Sequence, residues 1–434
     1  MRVAVVGGGL AGLAAALSCA DAGAEVTLYE ARSRLGGATF SFERNGLELD
    51  NGQHVALRCC TAYLEFLRRI GADHLLPLQR RLHVPVLRED RPPALLSRSG
   101  LRPPFHLAAT LLRYSPLALR ERLAAARAAQ ALGKLNSGDP ALDGQTFADW
   151  LRGQGQSENA IAALWNLIAL PTLNLPADQA SLAVAVKVFR TGLLDAADAS
   201  DIGVPAVPFR RLHAEPAAAA IEASGGTVLT STPVESVSSD GHVVLDSGTE
   251  EADAVILALP HDSVASVAPE GAVDADALAA LGTSPIVNLH VHYDRPVLEQ
   301  PLAAALDSPV QWIFDRTDAS GAREGQLVAI SLSHAVDEIG VSVAELQSRF
   351  LPALARLLPR AREAEVIDFA ATHEPRATFR AAPGTGRLRP GARTAVPGLY
   401  LAGSWTDTGW PATMESAVRS GVRAAELAIG EAAA

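Results

Sequence analysis

The four apolar residues Val3-Ala4-Val5-Val6 follow Met1-Arg2, and a valine-rich run this short predicts a buried parallel strand. A glycine-rich turn follows, then a helical stretch from Leu13 to Ala22, then a second strand over Glu25-Val26-Thr27-Leu28-Tyr29. Later runs read the same way. Gly225-Gly226-Thr227-Val228 begins a strand, Pro233 to Val237 forms another, and Asp253 to Leu259 is a buried strand closed by Pro260. Ile286 to Tyr293 predicts a strand of an antiparallel sheet, and Gly398 to Gly403 a strand that leads into a helix from Met414. Strands separated by helices indicate an α/β architecture. The stretch Phe105 to Leu132 is apolar and helical, is broken at Pro116, and carries Arg113, Arg120, Arg122 and Arg127. Such a basic amphipathic segment is either an ordinary surface helix pair or a surface that lies on an anionic membrane.

The turn after the first strand reads Gly7-Gly8-Gly9-Leu10-Ala11-Gly12, a G-x-G-x-x-G. Gly7 permits the tight turn, Gly9 lets backbone approach a pyrophosphate, and Gly12 lets the helix pack closely on the strand. The helix N-terminus presents free N–H groups and a partial positive charge to the phosphates. Glu30 closes the second strand, where its carboxylate can accept the ribose hydroxyls. Strand, turn, helix, strand and acid in this order predict the first half of a Rossmann-type dinucleotide site.

With 434 residues, 48% of them hydrophobic and 20% charged, the chain has the composition of a folded enzyme with one large bilobed body or several domains. A formal charge of −11 argues against a nucleic-acid partner. Cys19, Cys59 and Cys60 supply neither a disulfide framework nor a metal-binding spacing, so no metal site is expected. With no secretory leader ahead of Val3 and no apolar run of bilayer length, the expected setting is cytoplasmic, at most on the inner face of a membrane.

The run Glu30-Ala31-Arg32-Ser33-Arg34-Leu35-Gly36-Gly37 resembles the E-x-x-x-R-x-G-G extension of the flavin amine oxidase and phytoene desaturase superfamily. The resemblance implies FAD as cofactor. It also implies an α/β fold with a discontinuous Rossmann-type FAD-binding domain (1–75, 204–265 and 384–434) and a mixed α+β substrate domain (76–203 and 266–383). In the superfamily an arginine usually follows the paired glycines; here that position is Ala38, and Arg34 is the nearest replacement. The resemblance places Val234 against the adenine and Ala258 and Leu259 at the end of the middle FAD strand. Gly403 and the helix entered through Pro411, Ala412, Thr413 and Met414 would meet the flavin. Ser404 stands where an aspartate or glutamate usually holds a ribityl hydroxyl, and Asp407 is a possible stand-in.

Several blocks are similar to the hydroxysqualene dehydroxylases, a branch of the phytoene desaturase group. They are Leu49-Asp50-Asn51-Gly52-Gln53-His54-Val55, Leu173 to Pro176 with Ala180-Ser181, Arg376 to Phe379, and Ala402 to Glu415. The resemblance implies reductive removal of an allylic hydroxyl from hydroxysqualene, giving squalene for hopanoid synthesis. Gly52, Gln53 and His54 should contact the flavin. That chemistry needs a proton donor for the departing hydroxyl and an electron-rich face for an allylic cation. His54 and Asp50 are the candidate donors and Trp410 the candidate aromatic face. Against these roles stand structural ones: Asp50 capping a turn, His54 as a hydrogen-bonded scaffold residue, Trp410 as packing. A carotenoid-type desaturase of a polyisoprenoid would share fold and cofactor with the opposite electron flow, and a non-catalytic lipid-binding relative is a third reading. An amine oxidase would place a lysine near the flavin, and neither Lys134 nor Lys187 occupies such a strand position. No second dinucleotide fingerprint occurs, so the electron donor is open.

Overall fold

The computed structural model describes residues 1–432. Its first sheet is built from pieces far apart in sequence: β1 (Arg2–Val6), β2 (Glu25–Tyr29), β3 (Thr227–Leu229), β4 (Ala254–Leu257) and β5 (Leu399–Leu401). They pair in the order β5-β4-β1-β2-β3, every neighbour parallel. Val3, Val5, Val26, Leu28, Ile256 and Leu257 are buried, as strands covered on both faces must be.

Between β1 and β2 lies α1 (Leu10–Asp21), whose small side chains let it sit close to its neighbours. The C-terminal helix α2 (Met414–Ala432) crosses it, and a Cβ added at Gly421 would lie 2.1 Å from the Ala11 carbonyl oxygen. Glycine there is a condition of the crossing. The two helices that carry the two ends of the expected FAD site are thus locked together.

The second layer is a seven-stranded sheet in which Thr283–Tyr293, second from one edge, pairs antiparallel with Gln326–Ser333 and with the edge strand Val366–Phe379. The pair His83–Arg88 and Arg91–Ser97 extends the far edge, with Arg91–Ser97 as edge strand. Helices over 105–194 cover part of this lobe. The predicted strand at Val234–Val237 exists, but it pairs antiparallel with His242–Leu245 in a small separate ribbon instead of joining the parallel sheet. Among the described residues no helix is long and apolar enough to cross a membrane.

Candidate cofactor and substrate site

The glycine turn is shaped by its own backbone. Gly7 has φ +108°, and a Cβ there would lie 2.5 Å from the Ala258 carbonyl oxygen; one on Gly12 would lie 1.8 Å from the Gly7 oxygen. Gly9 is different. Its φ of −77° suits any residue, and a Cβ would meet only Gly37 Cα at 3.7 Å. The protein's own packing does not demand glycine at this position. The space beside it lies at the N-terminus of α1, where no side chain caps the first N–H groups of Leu10, Ala11 and Gly12. That is the form of a phosphate cradle.

The Gly36-Gly37 segment closes the cradle from the other side. The Gly36 amide donates to the Gly8 carbonyl at 2.8 Å, and Gly37, at φ +57°, rests against Gly9. Arg34 stacks on Phe40, its guanidinium carbon 3.3 Å from the ring centroid, and its Nη1 is buried without a hydrogen-bond partner. Burial, and after it Arg32, push the Arg34 pKa down, the condition of a cation awaiting an anion. Ala38 is exposed and offers only its carbonyl, which accepts from Asn51 Nδ2 at 3.0 Å. Glu30, the expected ribose acceptor, is held by the turn itself: Oε2 accepts from the Gly8 amide and Oε1 from the Arg32 amide, both at 2.8 Å. Ala31, between them, is exposed. Ser231 and Thr232 donate backbone N–H groups to the Arg32 and Glu30 carbonyls, which brings Val234 to the same end of the sheet.

At the same end of the sheet, on the other side of β1, Ala258 and Leu259 follow β4, and the Leu259 carbonyl accepts from Trp405 Nε1 at 2.9 Å. Trp405 fills the space over Gly403, which has φ +154° and donates its amide to Ser420 Oγ at 2.8 Å. Trp405 is therefore a packing residue. Ser404 is half-buried, and its carbonyl accepts from Ser416 Oγ. Asp407, the other candidate for that contact, is exposed and its Oδ1 accepts from the Gly409 amide. Pro411 and Met414 are buried and Ala412 and Thr413 half-buried where the chain enters α2.

The third segment, Asp50 to His54, sets the donor candidates apart. Asp50 is 4% exposed; its Oδ1 accepts from Ser41 Oγ (2.7 Å) and the Phe209 amide (2.9 Å), and its Oδ2 pairs with Arg316 Nη2 at 3.0 Å. Burial pushes its pKa up while Arg316 and the other donors pull it down. A carboxylate held by these three donors is an anchor between lobes, and the expectation of a free acid at Asp50 is corrected accordingly. The Trp410 ring already carries two cations, Lys187 Nζ at 4.7 Å and the Arg419 guanidinium carbon at 5.3 Å from the centroid, which compete for its electron-rich surface.

His54 remains. Its ring meets Phe209 edge to face at 5.2 Å, and its Nδ1 is buried without a partner. Burial, opposed by a Gly52 backbone hydrogen bond, lowers its pKa to about 4. A Cβ on Gly52 would lie 3.1 Å from His54 Cε1 and 3.3 Å from Asn288 Nδ2, so the three residues converge. Gln53, beside them, is half-buried.

Asn288 was not anticipated from the sequence. It is fully buried on the long strand Thr283–Tyr293 of the large sheet, donates Nδ2 to the Asn51 carbonyl at 3.0 Å, and leaves Oδ1 without a partner. Two residues along the strand, His290 is buried with both ring nitrogens unpartnered. The polar series Asn288, His290, His292 at every second position of an apolar strand was the available signal. Phe209, stacked on His213, and the Tyr63 hydroxyl bonded to His213 Nε2 complete the wall behind His54.

Uncapped α1, the open flank of Gly9 and the orphaned Arg34 donor fit a dinucleotide diphosphate, and the unpartnered atoms of His54 and Asn288 lie where the 50–54 segment meets the large sheet. Residues 10–429 match the family described as flavin containing amine oxidoreductase. The chain is 27% identical to a hydroxysqualene dehydroxylase of Sinorhizobium fredii over 99% of each chain, and 29% identical to one of Rhodopseudomonas palustris over 98% of each. It is 26% identical to a zeta-carotene desaturase of Synechocystis over 98% of this chain and 96% of the other. A putrescine oxidase structure shares the fold with a TM-score of 0.73 at 22% identity over 99% of both chains. The chain belongs to the flavin containing amine oxidoreductase family, as an FAD-dependent oxidoreductase.

Proposed function

We propose that this enzyme reductively dehydroxylates hydroxysqualene to squalene, feeding hopanoid synthesis. The observation that carries the reading is the similarity, over nearly the whole of both chains, to two proteins named hydroxysqualene dehydroxylase. The parallel sheet with its flanking pieces, 1–75, 204–265 and 384–434, would be the FAD domain, and 76–203 with 266–383 the substrate domain.

In this assignment Leu10, Ala11, Gly12 and Arg34 hold the diphosphate, Glu30 the ribose, and Val234 the adenosine end. Ser404 holds the ribityl chain, and Gly52, Gln53 and the entry to α2 at Pro411 to Met414 border the ring. FAD, bound and reduced, supplies a hydride equivalent. The substrate's C–O bond breaks, the oxygen leaves as water with one added proton, and the carbon gains hydrogen and two electrons. His54 Nδ1 gives that proton. Asn288 Oδ1, without a partner inside the protein, accepts from the substrate hydroxyl and orients it. Asp50 and Arg316 keep the 50–54 segment at the junction of the lobes.

The desaturase reading shares every cofactor contact and differs in electron direction. An amine substrate is disfavoured, because the strand Thr283–Tyr293 beside Gly52 carries Asn288 and no lysine. Anaerobic mixing separates the first two. Hydroxysqualene should restore the oxidised flavin spectrum of the reduced enzyme and yield squalene; bleaching of the oxidised enzyme by a polyisoprene hydrocarbon, with no response to hydroxysqualene, would assign desaturation.

A further inference from the structure

The stretch from 80 to 127 is strongly basic within this acidic chain. It holds ten arginines and three acids, Glu89, Asp90 and Glu121. Among the described residues, Arg98 is the one arginine of the ten that has a carboxylate partner, Asp201, which also pairs with Arg58. Arg80, Arg81, Arg91, Arg102, Arg113, Arg120 and Arg127 are exposed and unpaired.

The same stretch concentrates exposed apolar side chains. Of the eleven large apolar residues exposed among the described residues, Leu95, Leu101, Phe105, Leu112, Leu119 and Leu123 fall here, at 40% to 65% exposure. Their elements are tied into one surface. Thr110, on the helix Ala108–Arg113, bonds through Oγ1 to both Leu95 and Ser97 of the edge strand. Arg122 donates to the Leu112 and Leu117 carbonyls, joining that helix to the next, Leu119–Leu132. Leu119 and Leu123 are four apart on one helical face. The Ser99 amide donates to the His106 carbonyl, which folds the loop bearing Leu101 and Phe105 back onto the edge strand. Beside it lies an open groove of about 660 Å³ lined by Arg80, Arg81, His83 and Arg98.

Exposed leucine and phenylalanine between unpaired arginines match an interface of apolar acyl chains under anionic headgroups. A second copy of this chain fits poorly, because the patch would meet another basic patch or a body of net negative charge with no apolar cluster of equal density. We infer that this surface docks on an anionic phospholipid leaflet, Phe105, Leu101, Leu112 and Leu119 entering the acyl boundary and Arg80, Arg81, Arg102, Arg113 and Arg120 binding lipid phosphates.

The inference goes beyond the assigned reaction and holds for any substrate. Asp201 braces the groove and, through Arg58, the end of the segment that carries His54. The docked face is therefore joined through Asp201 and Arg58 to the chain that follows His54.

The test is flotation of the FAD-loaded full chain with vesicles of phosphatidylglycerol and phosphatidylcholine, or of phosphatidylcholine alone. The enzyme should float with the anionic vesicles, less so as salt rises, and weakly with the neutral ones. Arg102→Gln, Arg113→Gln and Arg120→Gln should each weaken binding about five-fold, and Leu101→Ser/Phe105→Ser should abolish residual binding at high salt. Flavin absorbance and melting temperature show that the variants are folded. Equal binding to both vesicle types, undiminished binding of the folded variants, or concentration-dependent dimerisation that the Leu101→Ser/Phe105→Ser change abolishes would overturn the inference.

Discussion

Replacing His54 by alanine should lower dehydroxylation about 10²- to 10⁴-fold, the usual contribution of a positioned proton donor, while the bound flavin spectrum stays unchanged. The effect follows from where the ring sits. Burial holds its pKa at about 4, so at pH 7 about one molecule in a thousand carries the imidazolium. That rare form is a strong acid, which suits departure of hydroxide as water. The charged fraction rises ten-fold for each unit of acidification until the pH nears 4, so kcat/KM should climb from pH 8 towards pH 5.5 with a slope near one. Stability moves the other way. His54, His213 and His290 are all depressed by burial, to about 4, 3 and 4. Below pH 6.5 the unfolded chain takes up protons that the folded one refuses, so stability is full above that pH and is lost progressively towards pH 4. Rates must therefore be read on enzyme shown to be folded at each pH. A flat profile, or full activity in His54→Ala, would remove His54 from the mechanism.

Gly9→Ala is expected to leave the fold intact and to cut FAD affinity by about 10- to 100-fold, equivalent to roughly 1–3 kcal/mol of overpacking. The new Cβ finds ordinary contact with Gly37 Cα at 3.7 Å and an allowed backbone at φ −77°. What it occupies is the side from which a diphosphate must approach the α1 N-terminus. Gly12→Ala is the contrasting control, since its Cβ would lie 1.8 Å from the Gly7 oxygen and must disturb the protein itself. Calorimetric titration of FAD into each protein, with apo melting temperatures alongside, separates the two effects. Unaltered FAD binding in Gly9→Ala would mean that the cradle is not where the diphosphate sits.

The parts of the site that were legible in the sequence are those made by neighbours along the chain. The β1–turn–α1–β2 unit carries its instructions within thirty residues, and the strand ending at Gly403 leads into its helix just as locally. What escaped depends on partners that only the folded chain brings together. Asp50 looks like a free acid until Arg316, 266 residues away, is brought to it, and the Trp410 ring gives no sign in the sequence that Lys187 and Arg419 lie beside it. Val234 lies on a real strand, yet alternation alone does not say which sheet a strand joins, and it went to the antiparallel ribbon. Asn288 was missed because one polar residue in an apolar strand reads as packing; only the strand crossing at Gly52 gives it a role.

Deuterium placement in the product tests the central claim most directly. Enzyme photoreduced anaerobically in D₂O, where the transferable hydrogen of a reduced flavin exchanges with solvent, should convert one equivalent of hydroxysqualene to squalene bearing a single deuterium at the former carbinol carbon, read by mass spectrometry. Squalene formed without that deuterium, or no squalene from enzyme that has bound and reduced its FAD, would contradict the account.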